Sequence, residues 1–167
     1  ATGRRFDLLE PTPDMVCIED IAHALSHCNR FAGHTLHAYS VAQHSVYVSR
    51  IVPPERALVG LLHDAAEAYM GDITGPLKRH LGEEIKRIEC RLEAAIAEAF
   101  GLLSLSDPAV KHADLSALAT ERRDLLPAHR WAWPCLKGIE PQRNRVTAWN
   151  AYTAKRSFMN RFAELTL

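Results

Sequence analysis

The chain reads as an all-α protein, a compact bundle of about six to seven helices forming one domain over residues 1–167. Three observations lead there. Apolar residues recur at spacings of three and four through most of the chain, the period of a single helix face. Strand-like alternation is almost absent. Helix-breaking and capping residues fall at the ends of the periodic runs: Pro53-Pro54, Gly71, Gly101 and Ser106-Asp107-Pro108.

Each element follows in order. The opening, to about Cys17, carries Pro11 and Pro13 and no helical period; it reads as extended, with a short strand around Phe6–Leu9. Ile18, Ile21, Ala22, Leu25 and Cys28 line one face of a first helix, and Asn29–Gly33 is a loop. The spacing of Val41, Ser45, Val48 and Val52 predicts a second helix from about Leu36 to Ile51. A third, Glu55 to Met70, runs through Leu58, Leu61, Leu62, Ala65, Ala66 and Tyr69, and Asp72–Pro76 is a loop over its end. Gly82–Phe100 shows the clearest stripe, Ile85, Ile88, Leu92, Ala95, Ile96 and Ala99, with charges opposite. Ser106-Asp107-Pro108 is a strong start for the next helix, a capping side chain followed by Pro in the first turn, with an end near Leu126. Pro127–Arg145, with three prolines and two tryptophans, is a long packed loop. A last helix, Thr147–Leu165, is expected to bury Trp149, Tyr152, Met159 and Phe162.

Composition narrows the function classes. A chain of 167 residues can build its own core without disulfides. Twenty basic residues balance twenty acidic ones, so a nucleic-acid polymer or an anionic membrane surface is not the expected partner. A small anion needs only a few local cations. Cys17, Cys28, Cys90 and Cys135 are scattered without C-x-x-C spacing, which points to reduced thiols in a cytoplasmic protein rather than a zinc ribbon. No apolar run approaches bilayer length, and no apolar h-region follows Ala1–Arg5, so neither a membrane span nor a signal peptide is expected.

Nine histidines prompt a search for metal or acid–base chemistry. The adjacent pair His63-Asp64 lies inside an otherwise apolar helix, between Leu58-Val59-Gly60-Leu61-Leu62 and Ala65-Ala66. A buried carboxylate needs a partner, and a cation would supply one. Neighbours on a helix point about 100° apart, so an ion can sit in the crevice between them. Glu67 projects on the same side, one turn on. His44 lies on the preceding helix. Asp114 lies far downstream beside a core-facing stripe, with Glu121 two turns along on the same face. Singly these residues are ordinary: a lone buried His is usually a hydrogen-bonded core residue and a lone helical Asp usually a cap or surface group. Jointly they make a plausible four-ligand site drawn from three helices.

The joint arrangement resembles the HD-domain phosphohydrolases: a His on one helix (His44), an adjacent His-Asp on the next (Leu61-Leu62-His63-Asp64-Ala65-Ala66-Glu67), and an Asp on a later helix (Ala113-Asp114). It is similar above all to the 5′-deoxynucleotidase-like branch, through Arg30-Phe31 before the first His and through Gly71-Asp72-Ile73-Thr74-Gly75-Pro76-Leu77-Lys78 after the His-Asp pair. The matched stretch runs from about Ile18 to Leu126. The resemblance implies one divalent ion on His44, His63, Asp64 and Asp114. A mixed N/O ligand set suits manganese, cobalt, iron, magnesium or a catalytic zinc, and the absent thiolates argue against a structural zinc. It further implies that water activated by the ion attacks a small phosphate ester, foremost a nucleoside 5′-monophosphate. Glu67 is then the general acid/base, Arg30 and Lys78 the phosphate clamps, Asp72 a partner for a sugar hydroxyl, and Phe31 a contact to sugar or base. Phe31 stands where that branch tends to have Trp, so this contact should differ. A homodimer is a further expectation of the resemblance. Two alternatives are a pyrophosphohydrolase acting on a guanosine alarmone, and a nucleotide- or metal-binding protein without turnover.

Overall fold

The computed structural model spans residues 1–167 and is all-helical in its regular structure: α1 (Ile18–His27), α2 (Val41–Ile51), α3 (Ala57–Leu62), α4 (Glu67–Met70), α5 (Gly75–Leu81), α6 (Glu83–Ala99), α7 (Pro108–Leu125) and α8 (Ala151–Thr166). The segments α3 and α4 are two stretches of one interrupted rod, so the bundle has seven helices. The β pairing amounts to one isolated antiparallel bridge, Asn29 to Ser40. No helix is long and apolar enough to cross a membrane.

The central helix is α2, which packs against α1, α3, α7 and α8. It is buried almost all round, from Val41 to Val46 and again at Val48 and Ser49. Helices so placed carry little charge, and this one puts its imidazole, His44, in the middle of the protein. Ser40 starts it by accepting a hydrogen bond from the Gln43 N–H, at 3.2 Å. The main core joins Ile21 and Leu25 of α1, Val41 and Val46 of α2, Leu61 and Leu62 of α3, Leu92 and Ile96 of α6, and Phe158 of α8.

Gly60 lets α3 lie directly on α2. A Cβ there would sit 3.1 Å from Val52 Cγ2 and 3.2 Å from the Ser49 Cα. Gly60→Val is therefore expected to cost about 1–3 kcal/mol through overpacking. A thermal melt checks this, and a variant as stable as the parent would refute the reading.

Four expectations need correction. Phe6–Leu9 forms no strand: the Asp7 carboxylate accepts from the Leu9 and Glu10 N–H groups, at 3.0 and 3.1 Å, closing a local turn in place of sheet pairing. α2 begins at Val41 rather than near Leu36, because Ser40 caps it and Leu36 N–H instead bonds the Leu125 carbonyl at 2.9 Å. Gly75-Pro76 opens a helix, α5, inside a stretch read as loop; proline is tolerated where the amide has no intrahelical partner. On α8 the buried side chains are Ala154 and Phe158, while Tyr152 is 72% exposed. That helix starts at Ala151, capped by Asn150, which turns Tyr152 outward.

Candidate metal centre

The rod α3–α4 changes its hydrogen bonding where the His-Asp pair sits. Ala65 N–H bonds the Leu62 carbonyl, Glu67 the Asp64 carbonyl and Ala68 the Ala65 carbonyl, at 2.9, 3.0 and 3.1 Å. These are three-residue spans, the tighter 3-10 pattern, which often marks a functional segment inside a helix. The tightening leaves the Gly60 carbonyl within 2.8 Å of His63 Nδ1. With Nδ1 donating there, the lone pair of Nε2 is free to face inward.

His44, His63 and Asp114 come together: their ligand atoms all lie within 4.8 Å of one another. His44 Nε2 is 3.3 Å from Asp114 Oδ1 and 3.5 Å from Asp64 Oδ2, and His63 Nε2 is 3.3 Å from Asp64 Oδ2. Asp64 thus joins the group through the two imidazoles. Ligands bonded at about 2.1 Å are about 3.0 Å apart across an octahedral edge and about 3.4 Å across a tetrahedral one. The two 3.3 Å separations fall in that range, and the 3.5 Å one lies just beyond it. Neither Nε2 has a hydrogen-bond partner although both are buried. Buried polar atoms are rarely left so, and a cation would satisfy both.

The charges agree. Around the point lie the carboxylates of Asp64, Asp114 and Glu121, the guanidinium of Arg30 and the Lys111 ammonium, which donates to Asp114 Oδ2 at 2.8 Å; the surplus is negative and favours a cation. Burial alone would raise Asp64, but His63, His44 and Arg30 outweigh it and hold its carboxyl well below the usual range. Asp114 is likewise depressed: His44, His63 and Arg30 outweigh its burial. Burial and Arg30 push His44 down, yet Glu121 and Asp114 prevail and raise it to about 9. Proton and cation therefore compete for the same carboxylate-lined position.

Glu67 is 7% exposed, and its Oε2 has no partner. Burial, reinforced by Asp64 and Asp72, pushes its carboxyl up to about 9 against the pull of Arg30 and Lys78. Lys78, on α5, has its Nζ 2.5 Å from Glu89 Oε1 and 3.8 Å from Glu67 Oε1. Its charge is thus largely engaged by Glu89. Asp72 is part-buried above the end of α4, its N–H directed at Cys28 Sγ at 3.3 Å; burial raises its carboxyl, with Arg30 opposing.

Arg30 reaches into the centre, with Nη1 at 3.5 Å from Asp64 Oδ2 and Nε at 3.1 Å from Glu121 Oε2. The following residues, Phe31 and Ala32, have φ of 56° and 50°, a left-handed turn unusual for non-glycine residues. Such strain costs of the order of 1–3 kcal/mol per residue and tends to occur at functional sites. Here it lets the chain reverse immediately after Arg30.

Two residues to which the sequence assigned no role lie at or beside the cluster, Glu121 and Trp133. Glu121 is wholly buried: it accepts from His44 Nδ1 at 2.6 Å and from the Tyr39 hydroxyl at 2.9 Å, besides Arg30. Its spacing of seven from Asp114 was the available signal. Trp133, in the loop after α7, has its ring 6.2 Å from Phe31, and the Arg122 guanidinium lies 5.3 Å over it. No local pattern could have paired residues so far apart in the chain. The four cysteines are free thiols, Cys17 buried, Cys28 partly so, Cys90 and Cys135 exposed.

No family model matches the chain. It is 49% identical over 138 residues to the uncharacterized protein YfdR of Escherichia coli (strain K12), a match covering 83% of this chain and 77% of that one. It is 40% identical over 121 residues to an uncharacterized protein of Rhodobacter capsulatus, covering 67% of this chain and 62% of the other.

Proposed function

The chain belongs to the family of Escherichia coli YfdR, and from its His and Asp cluster we propose that it is a divalent-metal-dependent phosphohydrolase of the HD-domain type, acting on a small phosphate ester, foremost a nucleoside 5′-monophosphate. One observation carries the reading: two buried imidazole Nε2 atoms without partners face the carboxylates of Asp64 and Asp114 at distances suited to shared coordination. When bound, a divalent ion acidifies water and polarises a phosphoryl oxygen.

The chain's own residues supply the rest. His44, His63, Asp64 and Asp114 hold the cation. Arg30 uses Nε on Glu121 and turns Nη1 toward Asp64, which leaves guanidinium N–H groups for phosphate oxygens. Glu67 is placed one turn beyond the His-Asp pair, where its carboxyl can pass a proton to or from the reacting oxygens. Buried Tyr39 and Glu121 keep bulk water from the back of the site.

A screen of nucleoside monophosphates and simple phosphomonoesters against Mn2+, Co2+, Mg2+, Zn2+ and Fe2+, reading orthophosphate, tests the proposal. Metal-dependent release that EDTA abolishes is the expected result. Well-folded protein that binds metal but liberates no orthophosphate from any ester would overturn it, and release of pyrophosphate would move the reading to the alarmone-type reaction.

A further inference from the structure

We propose that Glu121 is a positioning residue that couples the cation-binding half of the site to its anion-binding half; the inference rests on the metal-dependent reading above. One carboxylate serves both halves with different oxygens. Oε1 accepts from His44 Nδ1 at 2.6 Å and from the Tyr39 hydroxyl at 2.9 Å. Oε2 accepts from Arg30 Nε at 3.1 Å. Glu121 and His44 are both fully buried, so water cannot replace these bonds.

Each bond has a distinct consequence. The bond to Nδ1 keeps the His44 proton on that nitrogen, which leaves the Nε2 lone pair for a metal. The bond to Nε fixes the plane of the Arg30 guanidinium, so its remaining donors present one geometry to a phosphate. The group is an acceptor on both sides, and only a carboxylate has two acceptor oxygens in this shape. An amide does not. If the oxygen of a Gln at 121 faced His44, its NH2 would meet the Arg30 Nε–H, donor against donor. If it were flipped, the NH2 would point at Nδ1, and the His44 proton would move to Nε2, where it blocks coordination. Glu121→Gln therefore has to give up one half.

Calorimetric titrations of the full chain read the two halves separately. Mn2+, Co2+, Mg2+ and Zn2+ are titrated first; the tightest is then held saturating while inorganic phosphate is added. Glu121→Gln is expected to lose about 10- to 100-fold in either metal or phosphate affinity. Tyr39→Phe removes a second bond to Oε1 but leaves the His44 Nδ1 and Arg30 Nε bonds in place, so it should lower the melting temperature and leave both affinities within about twofold of the parent. Both affinities within twofold in Glu121→Gln would overturn the inference, as would equal losses in Tyr39→Phe, since these would mark mere packing. A parent that binds none of the four metals sinks the phosphohydrolase reading itself, and this inference with it. Should Glu121→Gln not fold, histidine 15N–1H correlation spectra of the parent, metal-free and Zn2+-loaded, decide: a protonated His44 Nδ1 is expected, and a bare Nδ1 overturns the assignment.

Discussion

Asp64→Asn is expected to yield a folded protein that no longer retains a divalent ion. The substitution keeps the shape of the side chain but removes one of the carboxylates facing the two imidazoles. Changes one shell further out typically cost 10- to 100-fold in metal affinity, so loss of a direct ligand should cost at least about 100-fold. Phosphate release, if the proposed activity holds, should fall to background. Metal analysis after gel filtration, with circular dichroism as the control for folding, reads the result. Asp64→Asn carrying as much metal as the parent would mean that Asp64 is only an electrostatic neighbour of Arg30, 3.5 Å away.

The second large effect belongs to Glu67. Glu67→Gln is expected to lower kcat by about 10²- to 10⁴-fold, the usual contribution of a positioned acid or base, while metal affinity stays within a few-fold of the parent. Stability should hardly change. Burial and the neighbouring Asp64 and Asp72 push the Glu67 carboxyl up to about 9, so below that value the side chain is mainly neutral, and Gln copies the neutral form closely. A kcat equal to the parent's would remove Glu67 from the reaction. Unchanged nucleotide binding in a protein that never turned over would favour the sensor alternative, readable as ligand-induced thermal stabilisation.

These two residues also mark what the sequence could and could not disclose. His63-Asp64 was legible because two polar residues interrupt an apolar helix, and Glu67 because its spacing puts it one turn on. The charge state of Glu67 was not, since it depends on which other carboxylates fold against it. Glu121 shows the same divide. Its spacing from Asp114 put it on the inner face of α7, but the three donors that meet it, His44, Tyr39 and Arg30, come from parts of the chain 77 to 91 residues away. The loop after α7 carries its tryptophans with no periodic pattern, so the approach of Trp133 to Phe31 could not be read from any local rule. α5 was hidden by a Gly-Pro start that serves a helix and a turn equally well.

By itself the amino-acid order determined the helical architecture, because helix periodicity, caps and breakers are local properties that act within a turn or two; it also supplied the His and Asp residues that make up the candidate site. Tertiary structure alone decided how those side chains meet: the close approach of α2 and α3 at Gly60, the convergence of two imidazoles with Asp64 and Asp114, and the single buried carboxylate shared by His44 and Arg30. The physical reason is that coordination distances and buried hydrogen bonds are set by packing between segments far apart in the chain, and no local preference encodes them.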